Sequence, residues 1–352
     1  MEKIKVLVAG CGQMGASHAR AYKKLKEFEI VGVVSRGASC TALADELGIA
    51  GRFNDYEEAL RATRPDAVSV NTYPDTHAEY AIKAMNAGAH VFLEKPIGRN
   101  VAEAEAVVDA ARRTDRKLVI GYILRHHPSW MKFIELAQAL GKPLVMRMNL
   151  NQQSSGNQWN KHKNLLQSLS PIVDCGVHYV DVMCQMTRSR PLRVSAIGAR
   201  LSNEIAPDMY NYGQLQVAFA DGSVGWYEAG WGPMISETAY FVKDVIGPDG
   251  AVSIIGSKDT ASDNIDSHTK TTRLLIHSGK IDAAGKFIAK DRSVEMTDEP
   301  VHQELCEREQ QFFLDAIKRD IDLSAHWDDA INSLKIVLAA DESFRTGKMV
   351  EL

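Results

Sequence analysis

"KIKVLVAGCGQMG", residues 3–15, decides the fold. Its first eight residues form an apolar run of strand character. Its last six, Gly10-Cys11-Gly12-Gln13-Met14-Gly15, match G-x-G-x-x-G. Directly after a strand and at the opening of a helix, that pattern marks the first turn of a dinucleotide-binding βαβ unit. Gly10 permits the tight turn, Gly12 lets a pyrophosphate approach the main chain, and Gly15 lets helix and strand pack closely. The N–H groups at the helix start, around Gln13 and Met14, face the anion.

Working outward, the spacing predicts a helix over 14–26, a strand over 29–35, a helix over 40–48, a strand over 66–72 and a helix over 75–88. A strand "HVFLEK" (90–95), a helix over 100–115 and a strand over 117–123 follow. Strands that are apolar throughout, separated by helices, predict a parallel sheet covered on both faces, an α/β Rossmann domain. Near residue 124 the rhythm changes. A helix over 128–140 is broken by Gly141-Lys142-Pro143, a strand covers 144–152, and 153–168 reads as polar and irregular. "PIVDCGVHYVDVMCQM" (171–186) reads as a helix despite Gly176. The stretch 212–231 reads as a hairpin turned by Asp221-Gly222, and "AVSIIGS" and "TTRLLIHS" read as further strands. The expected second domain is therefore α+β on a large, mostly antiparallel sheet. Domains of 1–123 and 124–352 follow, with closing helices at about 301–319 and 327–346 able to pack back on the first.

The composition is that of a globular protein: 352 residues, 45% hydrophobic and 24% charged, with a formal net charge of −4. No basic block suggests nucleic acid or an anionic membrane, and no apolar run reaches the length of a membrane span. The five cysteines form no Cys-x-x-Cys pair, so reduced thiols are expected. The opening apolar run is too short for an export signal, which makes the cytoplasm the expected location.

In parallel sheets, ligands bind beyond the carboxyl ends of the strands. The second strand delivers Ser35 and Arg36. NAD binders commonly carry an acid about 20 residues past the glycines, but there is none between Glu29 and Asp45. A guanidinium beside a hydroxyl would hold a 2′-phosphate, which favours NADP over NAD. Arg36 can also stack on an adenine face, which NAD allows. The next strand ends deliver Asn71, Tyr73 and His77, then Glu94-Lys95-Pro96, and all are expected around one dinucleotide. Lys95 becomes a cation beside the nicotinamide, where substrate also arrives. Helical spacing aligns Asp174, His178 and Asp181 in one stripe, and a histidine flanked by carboxylates is a tuned proton acceptor. Arg125, His126, Trp159 and Lys161 are further candidates for substrate contact. No His-x-x-x-His or Cys-x-x-Cys partner accompanies His126-His127, so no metal site is expected. Leu215, Val217 and Phe219 share one strand face, and Tyr227 and Trp231 add apolar surface, from which a homodimer or homotetramer is expected.

Three signals stand together: the N-terminal G-x-G-x-x-G, the Glu94-Lys95-Pro96 after a strand, and the D-x-x-x-H of Asp174 and His178. Together they resemble the Gfo/Idh/MocA oxidoreductase family along the whole chain, including the closing stretch "WDDAINSLKIVLAADESFRTGKMVEL". The resemblance implies a nicotinamide-dependent oxidoreductase that moves a hydride to or from a hydroxyl or keto carbon of a sugar, polyol or related cyclic alcohol. Lys95 matches the family's catalytic lysine, followed by a proline whose peptide bond is often cis. His178 matches the acid/base, and Asp174 the residue that contacts substrate or lysine. Glu94 and Tyr73 would line the nicotinamide. Two departures bear on substrate shape: "QSLSPIVD" where relatives are glycine-rich, and Tyr73-Pro74 where many have Thr-Pro. The same scaffold also supports glycoside cleavage through transient oxidation, and cofactor-sensing regulators that tend to lose the lysine or histidine.

Overall fold

The computed structural model describes residues 3–236, 242–256 and 271–352. They fall into two compact units: residues 1–123 with 300–331, and residues 124–299 with 332–352.

The first unit begins with β1 (Ile4–Ala9), α1 (Gln13–Lys24), β2 (Phe28–Val34), α2 (Ala38–Leu47), β3 (Arg52–Phe53) and α3 (Tyr56–Thr63). It continues with β4 (Ala67–Val70), α4 (Pro74–Asn86), β5 (His90–Glu94), α5 (Val101–Thr114) and β6 (Leu118–Gly121). Among the described residues these strands form one parallel sheet of order β3-β2-β1-β4-β5-β6. The order reverses at β1, between β2 and β4, which is the switch point where such sheets take ligands. The strands bury both faces, as their unbroken apolar runs predict: Leu7, Val8, Val68, Val91, Phe92 and Ile120 are fully buried. The helices start and stop where local chemistry requires. Asp55 accepts from the Glu58 N–H at 2.7 Å and Asn100 from the Glu103 N–H at 2.9 Å, and Gly48 closes α2 in the left-handed conformation. The sequence pattern missed the short pair β3 and α3, because two residues of strand carry no periodicity to read.

The second unit contains α6 (Pro128–Gln138), β7 (Val145–Gln153), α7 (Gly156–Leu165), α8 (Pro171–Asp174) and α9 (Gly176–Thr187). The strands β8 (Pro191–Ala199), β9 (Tyr212–Phe219), β10 (Val224–Gly232), β11 (Lys243–Gly247), β12 (Gly250–Ile255), β13 (Arg273–Ser278) and β14 (Arg292–Glu295) follow. Two long helices, α10 (His302–Lys318) and α11 (Ser324–Thr346), and a final strand β15 (Val350–Glu351) close the chain. Helix α10 and the part of α11 up to Ile331 belong to the first unit, and the rest of α11 to the second. The sheet runs β14-β13-β12-β11-β7-β10-β9-β8-β15, with β7 and β10 parallel and its other neighbours antiparallel. The predicted hairpin forms, with Gly222 at φ +84° in its turn. Ser257, the last residue of the expected strand "AVSIIGS", lies outside the described residues.

Two expectations change here. The stretch 153–168 is not irregular: most of it is α7, whose polar surface hides the helical period. Tyr227 and Trp231 are fully buried on the helix-covered face of the sheet, together with Leu215, Val217 and Phe219, so they give no support to an apolar docking surface. The Gly176 that unsettles the helical pattern has a packing reason, since a Cβ there would lie 2.9 Å from the Tyr227 ring.

Candidate active site

The glycine loop is built from its near misses. Gly10 has φ +90°, and a Cβ on it would lie 2.4 Å from the Asn71 carbonyl oxygen. A Cβ on Gly15 would lie 1.9 Å from the Gly10 carbonyl oxygen. These two glycines let the loop, α1 and the end of β4 pack together. Gly12 differs: a Cβ on it would meet nothing within 4 Å. The open side of Gly12 and the start of α1, which no side chain caps, form a cradle of main-chain donors. A dinucleotide pyrophosphate fits these residues. Gln13 is exposed and Met14 half-buried beside them.

At the end of β2, Ser35 is half-buried and Arg36 exposed. Tyr73 is 78% exposed before α4. Asn71 is buried and turned inward, its amide donating to the Ser69 carbonyl at 3.1 Å. His77 departs from its expected role as a cofactor contact. Its ring is buried, with Nδ1 at 2.7 Å from the Pro96 carbonyl oxygen and Nε2 at 2.9 Å from the Thr72 carbonyl oxygen. The ring therefore serves the main chain rather than a ligand.

Strand β5 ends in Glu94, and the Lys95–Pro96 peptide is cis. Glu94 is buried, with one oxygen 2.7 Å from His18 Nε2 on α1 and the other accepting from the Lys95 N–H at 3.2 Å. Gly121 on β6 leaves room for this carboxylate, since a Cβ there would lie 3.2 Å from it. Lys95 is half-buried. Sequence reasoning did not reach His18; its position in the first helix, one turn past Gly15, is the only signal the chain offers. His18, Cys306 and Glu309 bring one donor atom each to within 4.8 Å of one another. His18, however, engages both ring nitrogens, with Glu94 at 2.7 Å and the Gln310 amide at 2.9 Å. A metal could bind His18 only by breaking one of these contacts.

In the second unit the expected single helix is two: α8 ends at Asp174 and α9 starts at Gly176, with Cys175 joining them. Asp174 and His178 are half-buried on either side of that joint. The Cys175 thiol lies 3.5 Å from Gln152 Oε1, the side-chain amide oxygen, which also accepts from Trp231 Nε1 at 2.7 Å. Asp181, expected beside His178, is fully buried and grips Arg125 through two contacts of 2.8 and 2.5 Å. Arg125 is thus bound up in an internal ion pair instead of being held out for substrate. Burial and the Arg125 charge push the His126 ring down to about 3, so it is neutral at ordinary pH. Trp159, expected as a substrate contact, is buried in a cluster with Leu166, Ile205 and Trp231. Its Nε1 donates to Glu204 at 3.1 Å. Lys161 is exposed. Sequence reasoning also missed Lys243, which is almost wholly buried and donates to the Asn149 carbonyl at 3.0 Å.

The comparisons agree with this architecture. Residues 4–122 match the model of the oxidoreductase family with an NAD-binding Rossmann fold, GFO_IDH_MocA, and residues 132–262 match a GFO/IDH/MocA C-terminal domain. The chain belongs to the Gfo/Idh/MocA family of oxidoreductases. It is 25% identical to scyllo-inositol 2-dehydrogenase (NAD(+)) of Bacillus subtilis over 99% of this chain and 96% of that protein. It is 31% identical to 4-carboxy-2-hydroxymuconate-6-semialdehyde dehydrogenase of a Sphingobium species, over 45% of this chain and only 54% of that relative. In fold it is similar to scyllo-inositol dehydrogenase of Lactobacillus casei, solved with NAD(H) and scyllo-inositol. The TM-score is 0.78 at 20% identity, covering 99% of each chain. No helix among the described residues is long and apolar enough to cross a membrane.

Proposed function

We propose that this chain is a dehydrogenase or reductase of a sugar, polyol or related cyclic alcohol that uses NAD or NADP, with NADP favoured. The observation that carries the reading is the cradle at Gly12 in a chain of this family whose β5 ends in Glu94-Lys95-Pro96. The polyol class is supported by the full-length likeness to a scyllo-inositol dehydrogenase. A bound nicotinamide dinucleotide would supply the hydride acceptor or donor. Gly10, Gly12 and Gly15 with the start of α1 hold its pyrophosphate, and Ser35 and Arg36 take its adenosine ribose. Tyr73 and the Glu94-Lys95 segment would line its nicotinamide. In the oxidising direction His178 accepts the hydroxyl proton, while the Lys95 ammonium donates a hydrogen bond to the same oxygen and stabilises its developing negative charge. Asp174 steadies His178 or Lys95.

The NADP preference rests on Arg36 and the absence of an acid between Glu29 and Asp45. A panel of polyols and sugars run in parallel with NAD and NADP, followed at 340 nm, tests the reading. Turnover of a polyol with NADP ahead of NAD, and loss of that preference in Arg36→Ala, is the expected result. Binding of both dinucleotides with no absorbance change across the panel would refute the enzyme reading. Release of a cleaved sugar without net reduction would move the activity to glycoside cleavage.

A further inference from the structure

Lys95 reaches its target on a flexible four-carbon stem, so its main chain must be fixed if the ammonium is to be placed well. Two buried histidines from two different helices do this. On the amino-terminal side, the Glu94 carboxylate accepts the Lys95 N–H at 3.2 Å and lies 2.7 Å from His18 Nε2. The His18 ring is fully buried against Phe92, with centroids 4.7 Å apart. Its Nδ1 faces the Gln310 amide nitrogen at 2.9 Å, which can only donate, so the ring proton is on Nε2 and points at Glu94. Glu309, close by, has both carboxylate oxygens buried with no hydrogen-bond partner among the described residues. Burial and the nearby Glu94 hold its carboxyl well above the usual range. On the carboxyl-terminal side, the His77 ring lies between the Pro96 carbonyl oxygen, 2.7 Å from Nδ1, and the Thr72 carbonyl oxygen, 2.9 Å from Nε2; burial favours the neutral ring, whose one N–H donates to one of the two.

We propose that His18 and His77 are positioning residues that brace the Lys95 segment from both sides. The brace ties that segment to α1, whose start is the glycine cradle, and to the β4 exit that leads into α4. Both connections run to the elements that carry the glycine cradle and the β4 exit, so the lysine is placed relative to the same scaffold while the cradle itself stays untouched. The inference rests on the catalytic reading of Lys95.

The test is single-turnover hydride transfer in the full-length enzyme, with dinucleotide affinity measured alongside. His18→Leu and His77→Ala should each slow hydride transfer ~10- to 100-fold, with the dinucleotide Kd within ~3-fold. His18→Gln, which keeps a donor near the Nε2 position, and His77→Asn, which keeps one near Nδ1, should recover most of the rate. In a Lys95→Ala background, His18→Leu should cost nothing further, because its effect passes through Lys95. Full rate in folded His18→Leu and His77→Ala overturns the brace, and so does an undiminished effect in the Lys95→Ala background. If His18→Leu does not fold, the His77 pair decides alone, since that ring bonds only main-chain carbonyls. If Lys95→Ala itself keeps the full rate, the fault lies with the role of Lys95, and the brace falls with it.

Discussion

Gly12 separates ligand function from fold at a single residue. Gly10 and Gly15 are fixed by packing, so replacing either damages the fold and says little about ligands. A methyl on Gly12 meets only open space, and its φ of −74° suits any residue. Gly12→Ala should therefore melt within ~0.5 kcal/mol of the parent. Its dinucleotide Kd should rise at least ~10-fold, because the pyrophosphate approaches over that methyl. Differential scanning fluorimetry with and without dinucleotide reads both quantities. Unchanged affinity would mean the cradle is used otherwise. Lys95 and Gly12 were legible in the sequence because strand ends and glycine spacings are local signals. The inward turn of Asn71 and His77 was not, because which way a side chain faces depends on contacts with residues distant in sequence.

Among the elements, the joint between α8 and α9 shows where periodicity misleads. Spacings of four and three align Asp174, His178 and Asp181 only on one continuous helix. The helix is interrupted at Cys175, which parts Asp174 from the other two, and Asp181, although on α9 with His178, turns to Arg125 on the 3-10 turn Ile123–His126. Breaking a buried ion pair by removing one partner leaves the other charge uncompensated. Asp181→Ala should lower unfolding stability by about 3–5 kcal/mol, measured by urea titration. A loss below ~1 kcal/mol would show that Arg125 finds solvent or another acceptor. Apart from the two-residue β3, the parallel sheet was readable, since strands buried on both faces are apolar without interruption. Helix α7 was missed because its apolar residues are few, and Trp159 turns inward to an apolar cluster that no local pattern reveals.

At the scale of the whole molecule, pH acts through histidines held neutral by burial, among them His90 and His126. His90 Nδ1 accepts the Lys117 N–H at 2.9 Å, and protonation would remove that acceptor. Burial, with Arg116 and Lys117 nearby, pushes His90 down to about 4, and His126 lies at about 3. An unfolded histidine titrates near ~6.5, so below that pH the unfolded chain binds more protons than the folded one. The stability these rings confer is complete above ~6.5 and falls with pH toward about 4 for His90 and about 3 for His126. Melting temperature should accordingly drop between pH 7 and pH 5, and His90→Gln should flatten the slope. A parent slope identical to that of the variant would show that His90 is not neutral in the fold.

If Lys95 and His178 act on one hydroxyl, as proposed, single-turnover oxidation of a polyol depends on both side chains. Lys95→Ala and His178→Ala should each bind dinucleotide normally and transfer hydride more than ~10-fold slower than the parent, the His178 variant also losing the acid limb of the pH–rate profile. Hydride transfer within ~10-fold of the parent in either variant, with the limb intact, would contradict the account.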